Sequence, residues 1–273
     1  MFKVIKAYKI KRVLTVICLV LGLFAARGIF NKKSIMTFSD SRTKGYLAII
    51  IDDFGYSGDG TEEMLNLKIP FTAAIMPFSS HTKDDLESVK QAGKDYIIHM
   101  PMESLTGKKE WVGDKGVFIN MSDDEITQRV NEAYSIVEGA SGINNHMGSA
   151  IMEDERCLSD VLDVVKSKDG VFIDSVTTAG TLGEDICSQK GIVILKRDVF
   201  LDSTDDINVV SQNLNKAADI ALKTGKAVAI GHVGPEGGKI TAKAIEQAYP
   251  DIMAKGVEFV TVSQMRELFE NDH

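Results

Sequence analysis

From Tyr46 onward, short and mostly apolar runs alternate with longer stretches whose apolar residues recur at helical spacing. Runs at 47–51, 71–75, 96–99, 142–145, 171–173, 192–195, 227–230 and 258–260 have the length of strands. The intervals 61–67, 83–92, 123–138, 155–166, 206–223 and 240–253 read as helices. Ser122 ahead of Asp123, with Glu125 three residues on, is a capping-box start for the third of these. Strands that alternate with helices pair in parallel through βαβ crossovers. The first run, LAIII at 47–51, is apolar throughout, as a strand buried on both faces should be. Seven or eight such units predict an α/β fold, a distorted (β/α) barrel of seven or eight parallel strands. An open doubly wound sheet has the same periodicity and is the alternative. Residues 102–120 form a long connection that holds the single tryptophan, Trp111, and long connections in compact domains tend to be functional.

Parallel α/β folds carry their chemistry at the C-terminal ends of the strands. The sequence places Asp52 and Asp53 after the first run, His99 and then Glu103 at the third, and Asn144, Asn145 and His146 at the fourth. Asp174 ends the fifth, Arg197, Asp198 and Asp202 follow the sixth, and His232 ends the seventh. Of the five histidines only His81 and His273 lie elsewhere. Taken singly, each residue has a plainer reading: an aspartate or asparagine forms a turn, a histidine makes a structural hydrogen bond. Together, adjacent carboxylates, three imidazoles and a guanidinium on one face are costly unless paired or bound to a metal. A divalent ion such as zinc takes two imidazoles and one carboxylate and leaves a position for water. Of Asp52 and Asp53, one then faces the ion and the other takes the water's proton. His232, on a distant strand, is the candidate acid for the leaving group. Arg197 is expected to orient Asp52 and hold its pKa down. Asp174, Asp198 and Asp202 are expected to partner imidazole or guanidinium groups, with Glu103 and Asn145 as supporting or substrate-facing residues.

Charge adds two conclusions. The 273 residues carry a net −8, but residues 1–45 hold ten Lys and Arg against one acid, leaving 21 basic and 38 acidic residues in 46–273. A body this acidic repels nucleic acid, so no nucleic-acid partner is expected. Solubility is the ordinary reason for such charge. Lys3, Lys6, Lys9, Lys11 and Arg12 precede an apolar run at 13–26 that Arg27 closes, which is the layout of an export signal. Extended to Phe30, the run makes a short membrane anchor. Residues 1–30 therefore predict a signal peptide or signal anchor and 31–45 a linker. Residues 46–273 would be a body tethered outside the cytoplasm or secreted. Cys157 and Cys187 lack CxxC spacing, which disfavours a zinc finger and leaves a disulfide between them open.

Six segments, in this order, resemble a known family. They are LAIIIDDFGY at 47–56, HMPME at 99–103, GINNHMGS at 142–149, FIDS at 172–175, RDVFLD at 197–202 and AIGHVGP at 229–235. Over about residues 46–270 the chain resembles the divergent polysaccharide deacetylases. The resemblance implies a NodB-like deacetylase barrel and metal-dependent removal of N- or O-acetyl groups from an envelope or extracellular polysaccharide, such as a peptidoglycan-like glycan. It also implies that Asp53 and two histidines hold the metal, zinc first among the candidates, and that Asp52 is the base. Ordinary members of the superfamily take both histidines from one His-x-x-x-His segment and follow it with Arg-x-Pro-Tyr. Here Pro101 and Glu103 follow His99, and Asn144, Asn145 and His146 stand where the arginine segment belongs. The second imidazole must come from another strand, and His146 is chosen over His232. The alternative function is a catalytically silent, metal-containing glycan-binding or envelope scaffold protein.

Overall fold

Every strand pairing is parallel, and the strands follow one another around the sheet almost in chain order. In this computed structural model, which describes residues 45–270 with Glu236 excepted, nine strands are present. They are β1 (Gly45–Phe54), β2 (Thr72–Ile75), β3 (Asp95–Met102), β4 (Gly142–Met147), β5 (Val171–Asp174), β6 (Ile194–Lys196), β7 (Val199–Phe200), β8 (Lys226–His232) and β9 (Val257–Val260). The helices are α1 (Thr61–Leu65), α2 (Thr82–Gln91), α3 (Lys109–Val112), α4 (Asp123–Ile136), α5 (Ser149–Met152), α6 (Glu155–Ser167), α7 (Gly183–Lys190), α8 (Ile207–Thr224), α9 (Gly238–Ala254) and α10 (Val262–Glu270).

The sheet order is β6-β5-β4-β3-β2-β1-β8-β7, with β9 beside the start of β1. Because the winding never reverses between β1 and β6, right-handed crossovers place the connecting helices on one face. The other face can then be buried only if the sheet curls on itself. The core accordingly has two parts. One lies between sheet and helices, with Leu47, Ile49, Ile51, Ile98, Met100 and Phe172 among its members. The other lies inside the curl and is built from Ala48, Ile50, Ala74, Ile97, Ile173, Val228 and Ile230. This is the expected barrel, and the doubly wound alternative falls.

Closure is irregular at one place. β6 and β7 are two halves of one extended run. The first half bonds to β5, and after Arg197 the chain changes partner, Asp198 N donating to the Val228 carbonyl at 2.8 Å. At the N-terminal end of the barrel, Val262 and Met265 of α10 join the inner apolar group and close that end. The C-terminal end remains for the polar residues.

The capping box at Ser122 is formed, with Glu125 N donating to the Ser122 hydroxyl and Glu125 Oε2 accepting from Ser122 N. Sequence periodicity overlooked β7, α3, α5, α7 and α10. β7, α3 and α5 run two to four residues, too short for a period to register. Pro101 lies inside β3, beyond where the strand was expected to stop. β2 pairs with β3 only as far as Ile98, and Pro101 turns its carbonyl to Val117 N at 2.9 Å on the free edge, where a missing N–H breaks no ladder bond. Cys157 and Cys187 are both buried and both free, so the disulfide is not formed. The expected export segment 1–30, the linker up to residue 44, and His273 lie outside the described residues. Among the described residues no helix is long and apolar enough to cross a membrane.

Candidate metal centre

Strand alternation assembles most of the site. Ala48 and Ile50 on β1, Ile97 on β3 and Ile230 on β8 face the inner apolar group. Two positions further along, the same parity brings Asp52, His99 and His232 inside. On β4, the pairings His99↔Asn144 and Pro101↔His146 do the same for Asn144 and His146. These residues form a polar layer directly above the apolar plug.

Asp53, by alternation, belongs outside. It turns in because the register of β1 against β2 shifts between Ile51 and Phe54 and Asp53 adopts φ 67°. Such a bulge re-aims one side chain, and aspartate is among the few residues that tolerate this backbone region. The turn that follows is held by the buried carboxylate of Asp85 on α2. It accepts from Gly55 N at 2.6 Å, Ser57 N at 3.0 Å and the Ser57 hydroxyl at 3.1 Å.

Asp53 Oδ1 lies 3.4 Å from His99 Nε2 and 3.3 Å from His146 Nδ1, and the two nitrogens are 3.1 Å apart. Donor atoms bound at about 2.0–2.2 Å and at near-tetrahedral angles lie about 3.3–3.6 Å apart, so the triangle is the right size for one ion. Asp53 Oδ1 is buried and accepts no hydrogen bond, the condition of an oxygen that awaits a cation. Among the described residues, this is the one group of three His, Cys, Asp or Glu side chains whose ligand atoms gather in this way. Outer contacts set the ring orientations. Asn144 Oδ1 accepts from His99 Nδ1 at 2.7 Å, which leaves His99 Nε2 as the lone-pair nitrogen facing inward. The same amide donates to Asp52 Oδ1 at 2.8 Å, so one side chain fixes both the imidazole and the second carboxylate.

Burial pushes the Asp52 carboxyl above its ordinary pKa despite the nearby histidines. Burial also opposes ionisation of Asp53, but two imidazoles at 3.3–3.4 Å outweigh it and hold Asp53 well below the carboxylate range. For His99, burial opposes the charge, and Asp52, Asp53 and Asn144 together raise the pKa.

His232 stands across the barrel mouth from the β3–β4 wall, paired with Asp52 in the β1–β8 register. Asp202 accepts from its ring Nδ1 at 2.8 Å and from its backbone N at 2.7 Å, and Thr241 donates to the same carboxylate. Burial disfavours the His232 charge, but the Asp202 hydrogen bond and the charges of Asp52 and Asp202 raise its pKa to about 9. The ring of Phe200 stacks on His232 with centroids 5.7 Å apart.

Other expected site residues do different work. Arg197 makes no hydrogen bond to Asp52. Its Nε and Nη2 donate to the carbonyls of Ser175 and Val176 at 2.7 and 3.0 Å, and its guanidinium lies 3.7 Å over the ring of Phe200. Burial, not Arg197, sets the direction for Asp52, which is raised rather than held down. Asp174 points outward by strand parity and accepts from Val176 N and the Thr181 hydroxyl. Asp198 accepts from Val228 N and serves the strand change at β7. Of the three aspartates expected to partner cationic groups, only Asp202 makes such a hydrogen bond. Glu103 accepts from Ile119 N and clasps the long 102–120 connection. Asn145 donates to the Met147 carbonyl and the Thr177 hydroxyl and accepts from Ser175 N. Asn144, placed by the sequence at the fourth strand end without a role of its own, is the residue that bridges the site, and its parity with His146 is the signal that it faces inward.

The family model for divergent polysaccharide deacetylases matches residues 49–266. The chain belongs to the divergent polysaccharide deacetylase family. Within reach of this deacetylase-family chain is an uncharacterised Haemophilus influenzae protein, 31% identical over 229 residues, which span 84% of this chain and 80% of the relative. The Escherichia coli protein YibQ, also uncharacterised, is 30% identical over 226 residues, covering 83% and 70%. Among solved structures, an uncharacterised Agrobacterium tumefaciens protein superposes with a TM-score of 0.74 at 18% identity, over 81% of this chain and 89% of that one. A peptidoglycan N-acetylglucosamine deacetylase superposes at 0.53 with 14% identity, over 82% and 89%. At these identities the superpositions establish the shared barrel.

Proposed function

We propose that this deacetylase-family chain is a metal-dependent hydrolase that removes acetyl groups from an envelope or extracellular polysaccharide. The observation that carries the proposal is the 3.1–3.4 Å triangle of Asp53 Oδ1, His99 Nε2 and His146 Nδ1. These three would hold one divalent ion, and the all-nitrogen-and-oxygen set with two imidazoles favours zinc. When bound, the ion polarises the acyl carbonyl and acidifies water.

The remaining steps belong to the chain. Asp52 sits 3.6 Å from His99 Nε2, beside the triangle, and its raised pKa suits it to accept the proton of the attacking water. Asn144 holds its Oδ1, which leaves Oδ2 turned toward the site. As the bond from the acyl carbon to the leaving nitrogen or oxygen breaks, His232 donates a proton to the departing atom and acetate is released. Asp202 fixes the proton of His232 on Nδ1, so Nε2 carries the mobile one. An exported body, as expected from residues 1–45, meets such a glycan outside the cytoplasm.

The test is metal analysis of the purified protein together with acetate release from N-acetylated chitooligosaccharide, acetylxylan and peptidoglycan. Wild type should retain a divalent ion and release acetate. Asp52→Asn should keep the ion and lose on the order of 10²–10⁴ in kcat. Undiminished turnover in Asp52→Asn removes the base assignment. Bound metal without acetate release from any acetylated glycan favours the silent scaffold.

A further inference from the structure

Ser175 lies just past β5, and the β4–β5 register, which pairs Asn144 with Ile173, sets it beside His146 when carried two residues on. Neighbours in a parallel ladder point the same way, and Ile173 faces the barrel interior, so Ser175 belongs to the inner polar layer. Its side chain is buried, 2% exposed, and its Oγ has no hydrogen-bond partner among the described residues. A buried hydroxyl without a partner is destabilising, and native structures rarely keep one without a reason.

The surrounding chain makes the oddity sharper. Ser175 N donates to Asn145 Oδ1 at 3.0 Å, and the Ser175 carbonyl accepts from Arg197 Nε at 2.7 Å. Val176 follows at φ 50°, a strained conformation for a β-branched residue. It is pinned by Asp174 through its N–H at 2.7 Å and by Arg197 through its carbonyl at 3.0 Å. Three residues that strand-end reasoning assigned to the chemistry therefore fix the backbone around one hydroxyl. Backbone strain of this kind gathers at functional sites, where the surrounding structure over-determines it.

We infer that Ser175 is a catalytic residue that touches the substrate: its hydroxyl donates a hydrogen bond to the acyl oxygen as negative charge develops there. A hydroxyl without a protein partner keeps its proton available for a developing oxyanion, and a small local shift on substrate binding would uncover it. Asn145, Arg197 and Asp174 are then positioning residues that act through Ser175. The assignment rests on the deacetylase reading above for the identity of the acyl group.

The experiment compares wild type, Ser175→Ala and Ser175→Thr as full, zinc-loaded chains. Four quantities are measured: thermal midpoint, zinc affinity by chelator competition, acetate release from N-acetylated chitooligosaccharide, and the Kd of acetohydroxamate, an acyl-like metal chelator. Ser175→Ala should melt at the same temperature or higher, because it deletes an unpaired buried hydroxyl, and should bind zinc as wild type does. Its kcat should fall on the order of 10²-fold, its acetohydroxamate affinity should also fall, and Ser175→Thr should restore part of both. Unchanged turnover and unchanged acetohydroxamate affinity in Ser175→Ala overturn the assignment. So does a lowered thermal midpoint with losses that Ser175→Thr leaves unrepaired, which is the signature of a structural role. Acetohydroxamate binding that depends on Ser175 in a wild type that releases no acetate overturns the deacetylase reading instead and leaves the hydroxyl's role in place.

Discussion

The two walls of the barrel mouth handle their charged groups in opposite ways. On the β1–β3–β4 wall, Asp53, His99 and His146 bring three donor atoms together, and Asp53 Oδ1 is buried without a hydrogen bond. On the β7–β8 wall, His232 has its Nδ1 satisfied by Asp202, Asp202 is satisfied by Thr241 and the His232 backbone, and Phe200 packs against the His232 and Arg197 side chains. A wall that leaves a buried carboxylate oxygen unpartnered beside two imidazoles is suited to a cation. A wall whose charges are internally paired is built to hold one ring in one protonation state. Under the proposed function, the first wall would bind the metal and the second would deliver the proton, although both supply histidines from the ends of parallel strands.

The comparison breaks most directly at His99. His99→Ala should cost at least about 100-fold in zinc affinity, more than the loss of an outer partner, and should abolish turnover. Chelator competition decides it, and wild-type zinc affinity in this variant would undo the division between the walls. A smaller effect sharpens it. Asn144→Ala leaves both His99 and Asp52 without their shared amide and should lower zinc affinity about 10–100-fold, whereas Asp202→Asn should leave zinc affinity unchanged.

The smallest effect is the pH response of the β8 wall. His232 is raised to about 9 from an ordinary 6.5, so it is protonated at neutral pH. Its contribution to stability is present in full below about pH 6.5 and is lost as the pH rises through about 9. In the metal-free protein, the excess in thermal midpoint of wild type over Asp202→Asn should therefore shrink across that window. The alkaline limb of kcat should fall near pH 9 in wild type and at lower pH in Asp202→Asn. An alkaline limb that stays in place in Asp202→Asn would show that Asp202 does not tune the acid.

Much of the molecule was legible in the chain alone, and the reason is local. Apolar runs of strand length separated by amphipathic stretches dictate parallel βαβ units, and parity within each strand sorts Ile50 from Ile51 and His99 from Met100 without reference to any partner. Reactive residues at strand ends likewise follow from the chain. What parity could not disclose was any departure from regular geometry. Asp53 joins Asp52 on the inner side only because β1 bulges, and the clamp on that turn comes from Asp85, thirty residues away. Asn144 rather than Asn145 bridges the site, and Arg197 serves the Ser175–Val176 backbone rather than Asp52. Such pairings depend on which strands lie side by side and on where the sheet changes partner at β7. Side-chain types set what each residue is able to bond, but only the curled sheet brings strands distant in sequence within a hydrogen bond of one another and so decides which of those bonds are made.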